Sequence, residues 1–381
     1  MLANLVGMHH MRAHVFTSKS VLEPHFCSTC SSAERTFITS FTETVFIGSL
    51  IAQLNMNKVN LKGTYTEMGR QHGSFVKGFF QTPPIPEKKI EFSKKCEEIT
   101  RQYTPELMDE VEAFAEAAEL DLEPFKAFLL TLGLEPGCSV VALGPQLTES
   151  GAPIFGRNYD WDFSFQDYFM AFITEPKGGV KNLSFSDHMI GRYGGVNKEG
   201  LAVSIHAVPG YTGKPRPGVR MNMTLRWILD NMKSTEEAVE FISETPHQTA
   251  HIYMVADKRG NFARVEYAPE ESRVEYRDSF LYCTNHYQLP EMKQYEKGDF
   301  DRSNTEQREN KISNWRSSKE KFTHEDVVQL LSGHEDGVCN HAEYKGVKYG
   351  TIWSWIAPLG EDKAYVCHGS PCSNEYTEIT Y

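Results

Sequence analysis

The sequence predicts an α+β protein with layered sheets, and three observations carry that expectation. Helical periodicity fills residues 88–132, short strands separated by turn residues begin at 139, and the two textures do not alternate strictly. With 381 residues, of which 40% are hydrophobic and 24% charged, the chain can bury a large core.

Residues 1–58 lack clear periodicity and are rich in Ser, Thr and His, which predicts a poorly ordered extension. Leu61-Lys62-Gly63-Thr64-Tyr65 reads as a short strand, and Thr66 is the expected cap of a helix running through Gly73. Thr104 stands at an N-cap with Pro105 at the first helical position, after which Leu107, Val111, Phe114, Ala115 and Ala118 form one apolar face. A further helix is expected over 125–132. Strands follow at 139–143, 153–157, 168–174, 201–206, 251–256 and 262–267, the last two joined by the turn Asp257-Lys258-Arg259-Gly260-Asn261. Helices at 221–233, 235–243 (capped by Ser234 or Thr235), 304–318 and 325–331, then strands at 351–357 and 364–368, complete the series. The expected division is an extension (1–58), a mainly helical segment (59–137) and a larger segment (138–381), the last two sharing one domain.

Charge and cysteine usage narrow the function. Lys+Arg 39 against Asp+Glu 51 leaves −12, which argues against nucleic acid or an anionic membrane as partner. Cysteines at 27, 30, 96, 138, 283, 339, 367 and 372 are scattered, as in a reducing compartment, so a cytoplasmic location is expected. Cys27-Ser28-Thr29-Cys30 cannot close a tetrahedral zinc site alone, and Cys339-Asn340-His341 is too isolated to help. No metal or organic cofactor is expected. The apolar run Val45-Phe46-Ile47-Gly48-Ser49-Leu50-Ile51-Ala52 is too short to cross a bilayer and too far from the start for a signal-peptide core.

The dipeptide Gly137–Cys138 opens an apolar, partly β-branched run. A thiol there is the most nucleophilic common side chain, with a free pKa of about 8.5. A cut before Cys138 would set a new α-amine, with a pKa of about 8, beside the sulfur as a built-in base. A buried structural cysteine is the plainer alternative. Downstream come Gly156-Arg157-Asn158-Tyr159-Asp160, then Asn197-Lys198-Glu199-Gly200-Leu201, then Thr284-Asn285-His286, and Arg308 near a helix start. Taken as residues, Arg157 and Asp160 could be a plain ion pair, Asn285 could satisfy a turn, Asn197 reads as a hairpin-turn residue, and Arg308 could lie on a solvated helix face.

In this order the motifs resemble the cysteine N-terminal-nucleophile (Ntn) amidases, closest to the acyl-CoA:6-aminopenicillanate acyltransferase family, cousin to the choloylglycine and penicillin V hydrolases. The segments Gly63-Thr64-Tyr65-Thr66-Glu67-Met68-Gly69-Arg70-Gln71-His72-Gly73 and Cys367-His368-Gly369-Ser370-Pro371-Cys372 fit as well. The resemblance spans about residues 59–381. It implies a four-layer αββα sandwich with two stacked antiparallel sheets, and self-cleavage between Gly137 and Cys138, with Gly137 tolerating a strained backbone. The small and large chains would stay associated, and a homo-oligomer is left open. It further implies Cys138 as nucleophile, its own amine as proton shuttle, Asp160 orienting that amine and Arg157 lowering the thiol pKa. Asn285 would donate to the oxyanion, Arg308 would order the pocket, and a second oxyanion donor would come from near His206 or Ala207.

The expected substrate is a small-molecule acyl amide, resolved by water. Transfer of the acyl group to an amine is the alternative, and a non-catalytic binding member of the fold is a second one. A papain-like protease is disfavoured, because its cysteine needs a helix N-terminus and Cys138 leads an apolar β-type run.

Overall fold

A computed structural model describes residues 58–131, 137–187, 190–344 and 346–381. The expected extension up to residue 57, Cys27, Cys30, the apolar run from Val45 and the residues just before Gly137 lie outside the described residues.

The first segment runs through β1 (Lys58–Gly63), α1 (Tyr65–Val76), α2 (Glu87–Tyr103), α3 (Pro105–Ala118) and α4 (Leu122–Thr131). Thr64, not Thr66, caps α1. Its hydroxyl accepts the Glu67 N–H at 3.2 Å, and the Glu67 carboxylate accepts the Thr64 N–H at 2.7 Å, so two backbone donors left over at the helix start are satisfied reciprocally. Thr104 and Pro105 open α3 as expected, and Leu107, Val111, Phe114, Ala115 and Ala118 are all buried. Gly69 and Gly73 let α1 close directly onto α3. A Cβ there would stand 2.4 Å from Glu110 O and 2.3 Å from Phe114 O.

The second segment continues with β2 (Gly137–Leu143), β3 (Ile154–Asp162), β4 (Met170–Pro176), β5 (Asn182–Ser186), β6 (Gly194–Asn197) and β7 (Ala202–Ala207). Helices α5 (Met221–Asn231) and α6 (Thr235–Glu244) precede β8 (His251–Ala256), β9 (Phe262–Ala268), β10 (Glu271–Arg277) and β11 (Phe280–Cys283). Then come α7 (Ser303–Ser317), α8 (His324–Ser332), β12 (His341–Tyr344), β13 (Val347–Pro358), β14 (Lys363–His368) and β15 (Thr377–Thr380).

Two sheets result. One has the order β1-β4-β5-β6-β7-β8-β9-β10 and the other β11-β2-β3-β13-β14-β15, with β12 on β13. The pairings between these strands are antiparallel except β1 with β4, which is parallel.

The layers follow from side-chain alternation. On β2 and β3, Val140, Ala142, Phe155 and Tyr159 face the other sheet, where they pack with Leu183, Phe185, Val203 and Tyr253. Trp353 stacks on Tyr159 with centroids 4.2 Å apart, and Trp355 on Phe155 at 5.1 Å. The opposite faces, through Val141, Leu143, Ile154 and Ile356, bury against Ile312 of α7 and Val327, Leu330 and Leu331 of α8. On the first sheet's outer side, α5 and α6 contribute Leu225, Leu229, Ala238 and Ile242, while Met68 of α1 packs on Val59, Leu61 and Phe172. This is the expected αββα order. No helix among the described residues is long and apolar enough to cross a membrane.

The strands that the pattern did not predict are β5, β6, β10, β11, β12 and β15. β6 begins with two glycines and β5 carries Asn182 and Ser184 at buried positions, so neither reads as a β-branched run.

One buried ion cluster ties the first segment to the second. Arg226 of α5 lies 3.0 Å from Glu110 of α3 and 2.7 Å from Asp230, all with fully buried side chains. Removing the cation strands two carboxylates in a dry interior. Arg226→Met is expected to lower the unfolding free energy by about 3–5 kcal/mol, read as a lower urea midpoint.

Candidate active site

The register of β2 on β3 assembles the site. Gly137 lies opposite Asp160, Cys138 opposite Tyr159 and Val140 opposite Arg157. Cys138 and Arg157 therefore face the seam between the sheets. Arg157 is fully buried, and its Nη2 donates to Cys138 Sγ at 3.0 Å and to Ile205 O at 2.8 Å, while Nη1 donates to Tyr193 O. Its guanidinium also lies 5.4 Å from the Trp353 ring and 5.5 Å from that of Tyr159. Gly194 makes the room, since a Cβ there would come within 2.6 Å of Arg157 Nη1.

Asp160, three residues on, points to the opposite face. It accepts from Thr351 Oγ1 at 2.7 Å and Asn340 Nδ2 at 3.5 Å, and Arg308 Nη1 stands 3.8 Å away. Arg157 and Asp160 are thus not an ion pair with each other. Their spacing of three on a strand puts them on different faces.

Arg308 projects from α7 and is buried, not solvated. Its Nη1 donates to Cys138 O at 2.6 Å and Ser139 Oγ at 2.9 Å, its Nη2 to Asn285 Oδ1 at 2.9 Å, and its Nε to Asn304 Oδ1 at 3.1 Å. Asn285, just past β11, accepts the Cys138 N–H on the same Oδ1 at 2.9 Å, and its Nδ2 donates to Ala207 O at 3.1 Å. Two donors on Oδ1 fix the amide's orientation.

Cys138, Arg157, Asp160, Asn285 and Arg308 therefore surround one peptide unit. Burial pushes the Cys138 thiol up, and the Arg157 guanidinium pulls it back down. Burial likewise raises the Asp160 carboxyl, against Arg308 and the Thr351 and Asn340 donors.

Gly137 departs from the expected reason for its presence. It is not among the glycines with positive φ, and an added Cβ would meet nothing nearer than Asp160 Cβ at 3.4 Å. The backbone there is ordinary strand.

Asn197 holds the β6–β7 turn, accepting from Glu199 N and Leu201 N and donating to Leu229 O and Met232 O. His286 pairs with Glu309 at 2.9 Å, and His72 sits between Phe114 and Phe172, held neutral with its pKa pushed down to about 3 by burial. His206 is one of the two residues near which the second oxyanion donor is expected. It is buried, and burial and the charges of Arg157 and Arg308 hold it well below the usual histidine range. Thr351 and Asn340, which fix Asp160, have no role in the motif reading. Thr351 lies opposite Asp160 in the β3–β13 register, and no local sequence pattern reveals that pairing.

A pocket of about 200 Å³ reaches this peptide, lined by Gly137, Asp160, Trp161, Asn285, Arg308 and Tyr349. A second, of about 420 Å³, is lined by Phe92, Trp161, Ala207, Pro209, Tyr211 and Met221. Trp161 and Pro209 belong to both walls. Of the aromatic residues flanking Asp160 in the sequence, Tyr159 and Phe169 pack in the seam, while Trp161 lines the pockets.

Three solved structures are similar to the chain. A mutant conjugated bile acid hydrolase of Clostridium perfringens is 16% identical, with 63% of this chain and 92% of that one covered and a TM-score of 0.44. A Caenorhabditis elegans N-acylethanolamine-hydrolyzing acid amidase ortholog is 20% identical over 58% and 93%, with a TM-score of 0.42. Penicillin V acylase of Agrobacterium tumefaciens is 16% identical over 64% and 86%, with a TM-score of 0.44. No curated protein matches. The family profile described as acyl-coenzyme A:6-aminopenicillanic acid acyl-transferase matches residues 147–373, more than half of the chain and beginning downstream of Cys138. The chain belongs to that acyl-transferase family.

Proposed function

We propose that the chain is a self-processing cysteine amidase that cleaves a linear, non-peptide C–N amide through a thioester on Cys138, with water as acceptor. The observation that carries this reading is the Arg157 guanidinium 3.0 Å from the Cys138 sulfur, inside a ring of buried polar groups around the Gly137–Cys138 peptide.

In the processing step, Sγ attacks the Gly137 carbonyl carbon and the C–N bond breaks as the Cys138 nitrogen takes up a proton. Water then hydrolyses the thioester, leaving a Gly137 carboxylate and a free amine and thiol on Cys138. Asn285 Oδ1, which accepts the peptide N–H in the uncut chain, and Asp160 are the acceptors available to that amine. In turnover the amine takes the thiol proton, the thiolate attacks the substrate carbonyl and the amine product departs with that proton. Arg157 favours the thiolate, and Arg308 holds the Cys138 carbonyl and Asn285 in register. Asn285 Nδ2 is the proposed oxyanion donor, exchanging Ala207 O for the developing charge. The apolar walls around Trp161 suit an acyl group.

The family's description as an acyl-transferase supports a second outcome, in which an amine replaces water at the thioester. The buried Glu110–Arg226 pair supports continued association of the two chains after the cut. The free state of Cys96, Cys138, Cys283, Cys339, Cys367 and Cys372 supports a cytoplasmic setting.

Purified protein is expected to give two bands on a denaturing gel, about one-third and two-thirds of the mass, with a new N-terminus at Cys138. Cys138→Ala should remain one intact chain of 43.3 kDa; an intact, active wild-type chain would sink the reading. Because the thiol is raised in the uncut chain, processing should accelerate as pH rises. Arg157→Met should displace that rise to higher pH and slow processing at neutral pH by about 10- to 100-fold, as for loss of a charge-assisted hydrogen bond of about 1.5–3 kcal/mol. Asn285→Ala is expected to lower kcat by about 10²–10³-fold in protein that is already processed.

A further inference from the structure

Cys339 and His341, separated in sequence from any partner, have partners in the fold. His334 lies in the loop after α8, Cys339 ends that loop, His341 begins β12 and Cys372 follows β14. The ligand atoms of these four side chains lie within 4.8 Å of one another.

The contacts within the cluster are those of a coordination shell. His341 Nε2 stands 3.5 Å from Cys339 Sγ and 3.4 Å from Cys372 Sγ. One imidazole nitrogen has a single proton or a single lone pair, directed in the ring plane, so hydrogen bonding to two sulfurs would have to divide it in a weaker three-centre bond. A central cation explains both contacts. With Zn–S near 2.3 Å and Zn–N near 2.0–2.1 Å, the edges of a tetrahedron are about 3.4–3.8 Å, and the two edges from His341 Nε2 to the sulfurs have that length. His334 supplies a further sign. Its Nδ1 lies 3.1 Å from Cys339 O, the backbone anchor that fixes an imidazole tautomer and leaves Nε2 as the donor to a metal. Two thiolates and two imidazoles suit zinc, and hard cations such as magnesium or calcium prefer oxygen.

We propose that His334, Cys339, His341 and Cys372 form a structural Zn²⁺ site. Two cysteine protons leave on binding, so the two thiolates neutralise the ion. The site has no open position for substrate, and its effect on the reaction is through Asn340, which lies between two of the ligands. Asn340 is tied twice to Thr351, its N–H donating to Thr351 Oγ1 at 3.0 Å and its carbonyl accepting the Thr351 N–H at 2.9 Å. Its Nδ2 faces Asp160, and its Oδ1 accepts from Asn304 Nδ2 at 3.1 Å. The metal would therefore brace the wall that holds the Asp160 carboxylate.

The test is the metal content of the full chain, purified under reductant without chelator, by inductively coupled plasma mass spectrometry. About one zinc per chain is expected. Cys372→Ser and His341→Ala should lower that content, while Cys96→Ser, a buried cysteine in α2, should keep it. Exchange with Co²⁺ in the wild type needs no variant: it should produce a thiolate-to-cobalt charge-transfer band and the intense visible bands of a tetrahedral ion. Zinc far below one per chain even after incubation with Zn²⁺ would overturn the proposal. So would octahedral cobalt spectra, equal loss in Cys96→Ser, or recovery of Cys339 and Cys372 as one disulfide-linked peptide.

Discussion

The guanidinium of Arg157 is a full charge held between two β-sheets, and much of the seam is arranged around it. Moving such an ion out of water costs several kcal/mol even after relaxation. Among the described residues no carboxylate lies within ion-pair distance of it. Partial charges do that work instead: the carbonyls of Tyr193 and Ile205, the faces of Tyr159 and Trp353, and the sulfur of Cys138. The arrangement is best complemented when that sulfur is an anion, so the stacking of the sheets and the chemistry of the thiol are parts of one electrostatic problem.

β3 acts as a partition within this problem. Its two-residue period sends Arg157 to the seam and Asp160 to the side of α7, while the Gly137–Cys138 peptide on β2 runs alongside. Arg308 reaches that peptide from the helical side, through the Cys138 carbonyl and Asn285. Two cations thus approach the same residue from opposite faces, one at its side chain and one at its backbone. A carboxylate on the Arg308 side partly offsets one charge and leaves the other directed at sulfur.

Residue patterns made much of this legible. The apolar run from Cys138, the face of Leu107, Val111 and Phe114, and the turn at Asp257 carry local signals that their elements keep in the fold. The motif order placed Cys138, Arg157, Asp160, Asn285 and Arg308 in one site, and the structure brings them around one peptide. What stayed hidden depended on register. Thr351 and Asn340 meet Asp160 only through the pairing of β3 with β13, and β6 was masked by its glycines. Those same glycines serve Arg157, because the close approach that needs Gly194 is what weakens the strand pattern. Cys339 and His341 looked isolated for a similar reason: Cys372 reaches them only after β13 and β14 have folded back.

Glu110 and Arg226 stand on opposite sides of residue 137 in the chain, yet they form one buried pair. In the intact polypeptide the two halves meet by intramolecular search, at the high effective concentration that a tether provides. Were the Gly137–Cys138 bond broken by the processing proposed above, the same meeting would become a second-order encounter, and its yield would depend on dilution. β1 adds to this asymmetry, since its parallel pairing with β4 is non-local and has no turn to guide it. On that proposal the uncut chain is the form equipped to fold, and a cut one would be equipped only to stay folded. Denaturation of the processed protein would show hysteresis, with recovery set by the concentration of two separate strands and no longer by a single chain finding itself.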